Sequence, residues 1–167
     1  MYKIGVFTGK FMPLHKGHLR SIKIASKQVE TLYVVICYDE NLMKRECDKY
    51  NLPYFNAEVR KDWLTHYLRK FKNIKVVVLD QTNFKKFPDG IQDFKKALLS
   101  LTDGKLDCFF GGEPVYLKVA EEVFGVPYIL IDPSRSKVKI SATDIRRDLK
   151  KNHRYLKHRV NKYLNSK

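Results

Sequence analysis

Residues 4–18 read IGVFTGKFMPLHKGH, and within them Gly9-Lys10-Phe11-Met12-Pro13-Leu14-His15-Lys16-Gly17-His18 decides the fold. Ile4–Thr8 is a short strand-like run, Leu19–Gln28 has helical spacing, and the ten residues between them hold two glycines, a proline and two histidines. A strand, a glycine-containing loop and a helix, in that order, put free N–H groups and the positive end of a helix dipole at the strand's carboxyl end. Gly9 and Gly17 let backbone come close to a ligand, and Pro13 sets the turn. A bare H-x-x-H is most often a capping pair, and zinc would need a third ligand that the sequence does not offer. In this strand–loop–helix setting, the whole string is suited to face a phosphate.

The same alternation continues outward. Thr31–Tyr38 (TLYVVICY) has β-branched residues on both faces, as a buried parallel strand requires. Val59, Trp63, Leu64, Tyr67, Leu68 and Phe71 form one stripe of a helix over Asn56–Phe71, with Asn56 as its N-cap and Trp63 in the core. Further strands are expected at Ile74–Leu79, Asp107–Phe110 and Pro127–Ile131, and helices at Ile91–Leu101, at Pro114–Phe124 and from Ser141 onward. Asp39–Phe55 and Asp80–Gly90 read as long loops. The order predicts an α/β fold, a doubly wound, Rossmann-like five-stranded parallel sheet with C-terminal helices. Residues 1–167 read as one domain with a core over 1–148 and a basic helical segment over 149–167. Ligands of such sheets lie beyond the carboxyl ends of the strands.

Composition narrows the classes. The 167 residues hold 33 Lys and Arg against 18 Asp and Glu, a net charge of +15, and a 44% hydrophobic fraction excludes a disordered polyelectrolyte. No apolar run approaches the roughly 18 residues of a membrane span, and the N-terminus lacks the apolar region of a signal peptide. Cys37, Cys47 and Cys108 are an odd set without C-x-x-C spacing, so a reducing, cytoplasmic setting is expected. The charge attracts polyanions. Seven of the basic residues and no acid lie in 149–167, where a solvated helix face or frayed end is the plainer reading and nucleic acid is not the expected partner. Truncation after Arg154 is therefore expected to spare the site. A homo-oligomer is compatible with this composition.

The string G-K-F-x-P-L-H-x-G-H resembles the H-x-G-H signature of the nucleotidyltransferase superfamily, and Ile140-Ser141-Ala142-Thr143-Asp144-Ile145-Arg146 resembles its second signature, I-S-x-T-x-I-R. Asp132-Pro133-Ser134-Arg135, Arg60 with Trp63-Leu64, and Pro88-x-Gly90 resemble the NadR-type adenylyltransferases, which make NAD from nicotinamide mononucleotide (NMN) and ATP. Such relatives commonly carry a DNA-binding segment and a ribosylnicotinamide kinase domain. No G-x-x-x-x-G-K-[ST] occurs in these 167 residues, so kinase activity is not expected of them. Relatives also tend to have Trp where this chain has Ile91.

The resemblance implies partners ATP, NMN and NAD, with Mg²⁺ accompanying ATP and no metal ligand on the protein. It implies catalytic roles for Lys10, His15, His18 and Arg146: His18 on the α-phosphate, His15 and Lys10 on the triphosphate, and Arg146 with Ser141 and Thr143 on the β and γ phosphates. Substrate contacts are expected from Thr8, Gly9, Phe11, Asp39, Arg60, Pro88, Gly90, Gly111, Gly112, Glu113, Asp132, Pro133 and Arg135. For Asp39 a capping role is an equal alternative, and Gly111–Glu113 could be a plain turn. His66, His153 and His158 read as structural. The neighbouring readings are adenylyl or cytidylyl transfer to phosphopantetheine, nicotinate mononucleotide or an alcohol phosphate. A non-catalytic module sensing NAD or ATP is the reading from another class.

Overall fold

The computed structural model describes residues 1–166. Its strands are β1 (Tyr2–Gly9), β2 (Val29–Tyr38), β3 (Ile74–Asp80), β4 (Cys108–Gly111) and β5 (Tyr128–Leu130). All neighbours are parallel, in the order β3-β2-β1-β4-β5. The helices are α1 (Lys16–Ser26), α2 (Glu40–Lys49), α3 (Ala57–Leu68), α4 (Ile91–Leu101), α5 (Leu117–Val119), α6 (Ala142–Arg147), α7 (Leu149–Asn152) and α8 (His158–Leu164). A 3₁₀ turn over Pro114–Tyr116 precedes α5 and a π turn over Ala120–Phe124 follows it, closed by Gly125 at φ 67°. The doubly wound five-stranded parallel sheet is as expected.

Residues alternate between the two faces of the sheet. Leu32, Val34 and Ile36 of β2 pack into a core with Leu19, Ile22, Trp63, Leu64 and Leu68. Tyr33 and Val35 pack on the other face with Val6, Leu79, Leu98 and Phe109. The chain leaves β1 for β2 and β3 on one side, then crosses back through α4 to β4 and β5 on the other. The carboxyl end of β1 therefore lies at the switch point, where a crevice opens in sheets of this kind.

Two segments differ from expectation. Asp39–Phe55 is not a loop: it holds α2, with Asp39 as N-cap accepting from the Leu42 N–H at 3.1 Å. Only Met43 and Cys47 of α2 are buried, a stripe too thin to register as a period, and the remaining signals were its cap and the Glu40–Lys44 pair at i,i+4. The basic C-terminal segment is not a frayed end. Leu156, Val160 and Leu164 are buried in the main core, and the Tyr163 ring stands edge-on to Trp63 at 5.8 Å. Its charges lie on one side of a short amphipathic helix whose apolar side covers α3. Among the described residues no helix is long and apolar enough to cross a membrane.

Candidate active site

The β1–α1 loop brings the first signature to the switch point. His15 is the N-cap of α1, and its Nδ1 accepts from the Gly17 N–H at 3.0 Å and the His18 N–H at 3.3 Å. His18 reaches back, its Nδ1 accepting from the His15 N–H at 3.2 Å. The rings stack at 3.6 Å between centroids, and Phe11 meets His18 edge-on at 5.0 Å. A Cβ on Gly17 would lie 2.8 Å from His15 Cε1, so a side chain there would press on the His15 ring. Gly9 is constrained likewise by the Phe11 ring, 2.8 Å from where its Cβ would be.

Capping settles the protonation of both rings. An Nδ1 that accepts carries no hydrogen, so each neutral imidazole bears its proton on Nε2. Burial, reinforced by the Arg135 guanidinium, pulls His15 down from 6.5 to about 4. Burial, then His15 and Arg135, hold His18 well below the usual histidine value. Both are thus neutral at pH 7, and each keeps an Nε2–H donor that makes no hydrogen bond among the described residues. They are hydrogen-bond donors, not cations.

The second signature meets the first across the chain. Ser141 caps α6 in a closed pair: its N–H and its hydroxyl donate to Asp144 Oδ2 at 3.2 and 2.7 Å, and the hydroxyl accepts from the Asp144 N–H at 3.1 Å. Those bonds from Ser141 hold the Asp144 carboxyl below its ordinary value. Arg146 Nη1 donates to the Met12 carbonyl at 2.6 Å, and its Nη2 reaches Thr143 Oγ1 at 3.3 Å and Glu46 Oε2 at 3.1 Å. Arg146 therefore lies against the back of the first loop, paired to a carboxylate on α2.

The other expected residues lie at several places around the sheet. Thr8, Gly9 and exposed Lys10 end β1 beside the histidines. Gly111, Gly112 and Glu113 leave β4, and Glu113 Oε1 pairs with Arg135 Nη2 at 3.3 Å, bridging the β4 and β5 loops. Asp132 and Arg135 have φ of 44° and 53°, either side of Pro133 and Ser134. Asp132 supports that turn by accepting from the Ser136 N–H, the Ser136 hydroxyl and the Lys137 N–H at 2.9, 2.6 and 3.0 Å, which also lowers its pKa. Pro88 and Gly90 close the turn into α4 beyond β3, the edge strand, away from the histidines. Arg60 is fully buried and donates to the Lys10 carbonyl at 2.7 Å, behind the cleft. Asp39 caps α2.

Sequence reasoning passed over several groups here. Tyr38 and Tyr54 share a 2.7 Å hydroxyl contact at the end of β2, with the Arg60 guanidinium 5.2 Å from the Tyr38 ring. Burial raises the Tyr38 hydroxyl, which stays neutral at pH 7. Cys37, at the same strand end, is pushed up to about 12 by burial and is no nucleophile at pH 7. Glu46 carries no signal in sequence, because its partner is 100 residues away. Among the described residues no group of three His, Cys, Asp or Glu gathers to hold a metal ion.

The cytidylyltransferase-like family model matches residues 6–148. Over 154 residues the chain is 27% identical to the trifunctional NAD biosynthesis/regulator protein NadR of Salmonella typhimurium, covering 86% of this chain and 36% of that protein. Over 78 residues it is 38% identical to the phosphopantetheine adenylyltransferase of Streptococcus agalactiae, covering 47% of this chain and 43% of that enzyme. A crystal structure of a NadR protein in complex with NAD and AMP-PNP shares the fold, with TM-score 0.68 at 24% identity over 93% of this chain and 44% of that one.

Proposed function

We propose, from the premise that this chain belongs to the cytidylyltransferase-like family, that it transfers the adenylyl group of ATP to NMN, forming NAD and releasing pyrophosphate. The observation that carries this reading is the meeting of the two signatures at the end of β1, where Arg146 grips the Met12 carbonyl across 134 positions of sequence. The similarity to NadR along most of the chain supports the choice of acceptor.

The reaction opposes like charges. The acceptor's phosphate has its second pKa near 6, so it is a dianion at neutral pH and needs no general base. One of its oxygens attacks the α-phosphorus of ATP as the bond from that phosphorus to the β-phosphate oxygen breaks; the electron pair leaves with pyrophosphate. Positioning and preorganised donors supply the catalysis, without a covalent intermediate. His18 Nε2–H serves the α-phosphate, and His15 Nε2–H with Lys10 serves the leaving phosphates. A neutral donor suits this task, because its proton stays in place as charge moves along the triphosphate. Mg²⁺ accompanying ATP would supply charge screening at the triphosphate, beside Lys10 and His15.

This reading puts ATP against the loops after β4 and β5 and the acceptor on the β2 side, beside Tyr38 and Tyr54, with Arg146 reaching across to Glu46 of α2. Thr143 and the Arg135–Glu113 bridge then border the nucleotide. The lack of a P-loop in these residues fits use of the mononucleotide but not its unphosphorylated riboside. The test is pyrophosphate release from ATP with NMN, nicotinate mononucleotide, phosphopantetheine and nicotinamide riboside as separate acceptors. NMN is expected to turn over fastest and the riboside not at all. Turnover of phosphopantetheine without NMN would overturn the acceptor and leave the family standing.

A further inference from the structure

The loop that carries the site has little backbone support of its own. Residues 11–14 form one turn and, among the described residues, make no backbone–backbone hydrogen bond to the rest of the chain, and Phe11 sits at φ 53°. Its polar ties to the rest of the chain come from two arginines on different helices. Arg60 Nη1 donates to the Lys10 carbonyl at 2.7 Å, and Arg146 Nη1 to the Met12 carbonyl at 2.6 Å.

Both ties are costly. Arg60 is 0% exposed and makes no ion pair among the described residues; its Nε donates to the Asn56 carbonyl at 3.3 Å, and its plane lies 5.2 and 5.8 Å from the rings of Tyr38 and Phe55. Burial draws its pKa down to about 10. Arg60 Nη2 and Arg146 Nε are each buried without a partner. An apolar side chain in the Arg60 site would avoid the desolvation of an unpaired cation. What the arginine supplies in exchange is direction: it turns the Lys10 carbonyl inward. Glu46 does the same at one remove, because its carboxylate, 3.1 Å from Nη2, orients the Arg146 fork toward Met12.

We infer that Arg60 and Glu46 are positioning residues, Arg60 directly and Glu46 through Arg146, which brace the β1–α1 loop from behind and so set Lys10, His15 and His18 against the reacting phosphate. This rests on the proposed adenylyl transfer for its kinetic consequence, but the brace itself can be read without turnover.

The experiment compares Arg60→Met, Arg60→Lys and Glu46→Gln with the half-exposed control Glu40→Gln on the same helix as Glu46. Misplacement of a catalytic group by about 1 Å costs on the order of 10²-fold, so Arg60→Met is expected to lower kcat about 10- to 100-fold with both KM values changed less than about threefold. Glu46→Gln should lower kcat by about three- to tenfold, Arg60→Lys should recover part of the loss, and the control should match the parent. Thermal midpoints should fall little, or rise for Arg60→Met as the buried charge disappears. Amide hydrogen exchange at Phe11, Met12 and Leu14 should quicken in Arg60→Met and Glu46→Gln while exchange in α4 stays unchanged. A rise in KM at constant kcat would mean that Arg60 touches substrate, and would overturn the positioning role. Exchange at the loop unchanged from the parent would overturn the brace. If the parent protein transfers no adenylyl group, the proposed function fails and the exchange measurement still decides the brace.

Discussion

At the start of α1, the cap residue and the residue three positions on accept from each other's backbone N–H, and the start of α6 is built the same way. The first pair is His15 and His18; the second is Ser141 and Asp144. An imidazole has two nitrogens, so each histidine spends Nδ1 on the cap and keeps an Nε2–H to donate elsewhere. A serine hydroxyl has one hydrogen, and Ser141 gives it to Asp144. The α1 start is therefore a cap and a donor site together. The α6 start is a cap that carries its own carboxylate, and Arg146, one turn further on, turns to the Met12 carbonyl and Glu46. One local device thus has opposite consequences, decided by how many polar atoms the capping side chain owns.

The supports of the two starts differ as well. The α1 start is anchored by the central strand, whereas α6 is followed by α7 and α8. Truncation after Arg154 removes Leu156, Val160 and Leu164, all buried, and uncovers Trp63. One buried Leu→Ala change alone costs about 2–5 kcal/mol, so the truncated chain is expected to melt at least about 10 °C lower or not to fold. This is the largest effect. Calorimetry checks it, and a truncated protein that melts with the parent would show that α6 stands without the tail.

The next largest separates donor from cap. His18→Ala should lower kcat by about 10²–10³ while the KM for ATP changes much less, because an Nε2–H aimed at developing charge is lost. Steady-state kinetics would contradict the assignment if the loss lay mainly in KM. Ser141→Ala should act on stability instead. Loss of a serine cap costs about 1 kcal/mol, with kcat within a few-fold of the parent. Denaturant melts and turnover on the same preparation check both halves; a 10²-fold fall in kcat would mean that the hydroxyl leaves Asp144 to serve phosphate.

The smallest expected effect is an absence of change with pH. Below pH 6, kcat/KM should rise as the acceptor phosphate loses its second proton. From pH 7 to 9 it should be flat, since His15 and His18 are already neutral there. A descending limb near 6.5 would show that a protonated histidine is required. Stability has its own window. The folded pKa of His15 is depressed to about 4 against 6.5 when unfolded, so its contribution is full above 6.5 and is lost as pH falls toward 4. Thermal melts across that range should decline with acidification, and His15→Asn should flatten the decline.

Much of this was legible in the sequence because it is local. The strand–loop–helix around His15, the Asn56 cap with its 3.0 Å bond to the Val59 N–H, the helix Ile91–Leu101 and the five strands each declare themselves within about a dozen residues. Apolar residues on both faces of β2 imply a parallel sheet covered on both sides, and that sheet sets the site at the end of β1. Tertiary structure alone decided how deep each group lies. Arg60 and Arg146 look like surface cations until Lys10, 50 positions away, and Met12, 134 positions away, close over them. The histidines look like cations for phosphate until burial beside Arg135 removes their protons. The basic tail looks solvated until α3 offers Trp63 for it to cover. Periodicity and capping depend on neighbours in the chain, whereas desolvation depends on which distant elements pack against a group. Charge state, and with it the chemistry, follows from the second.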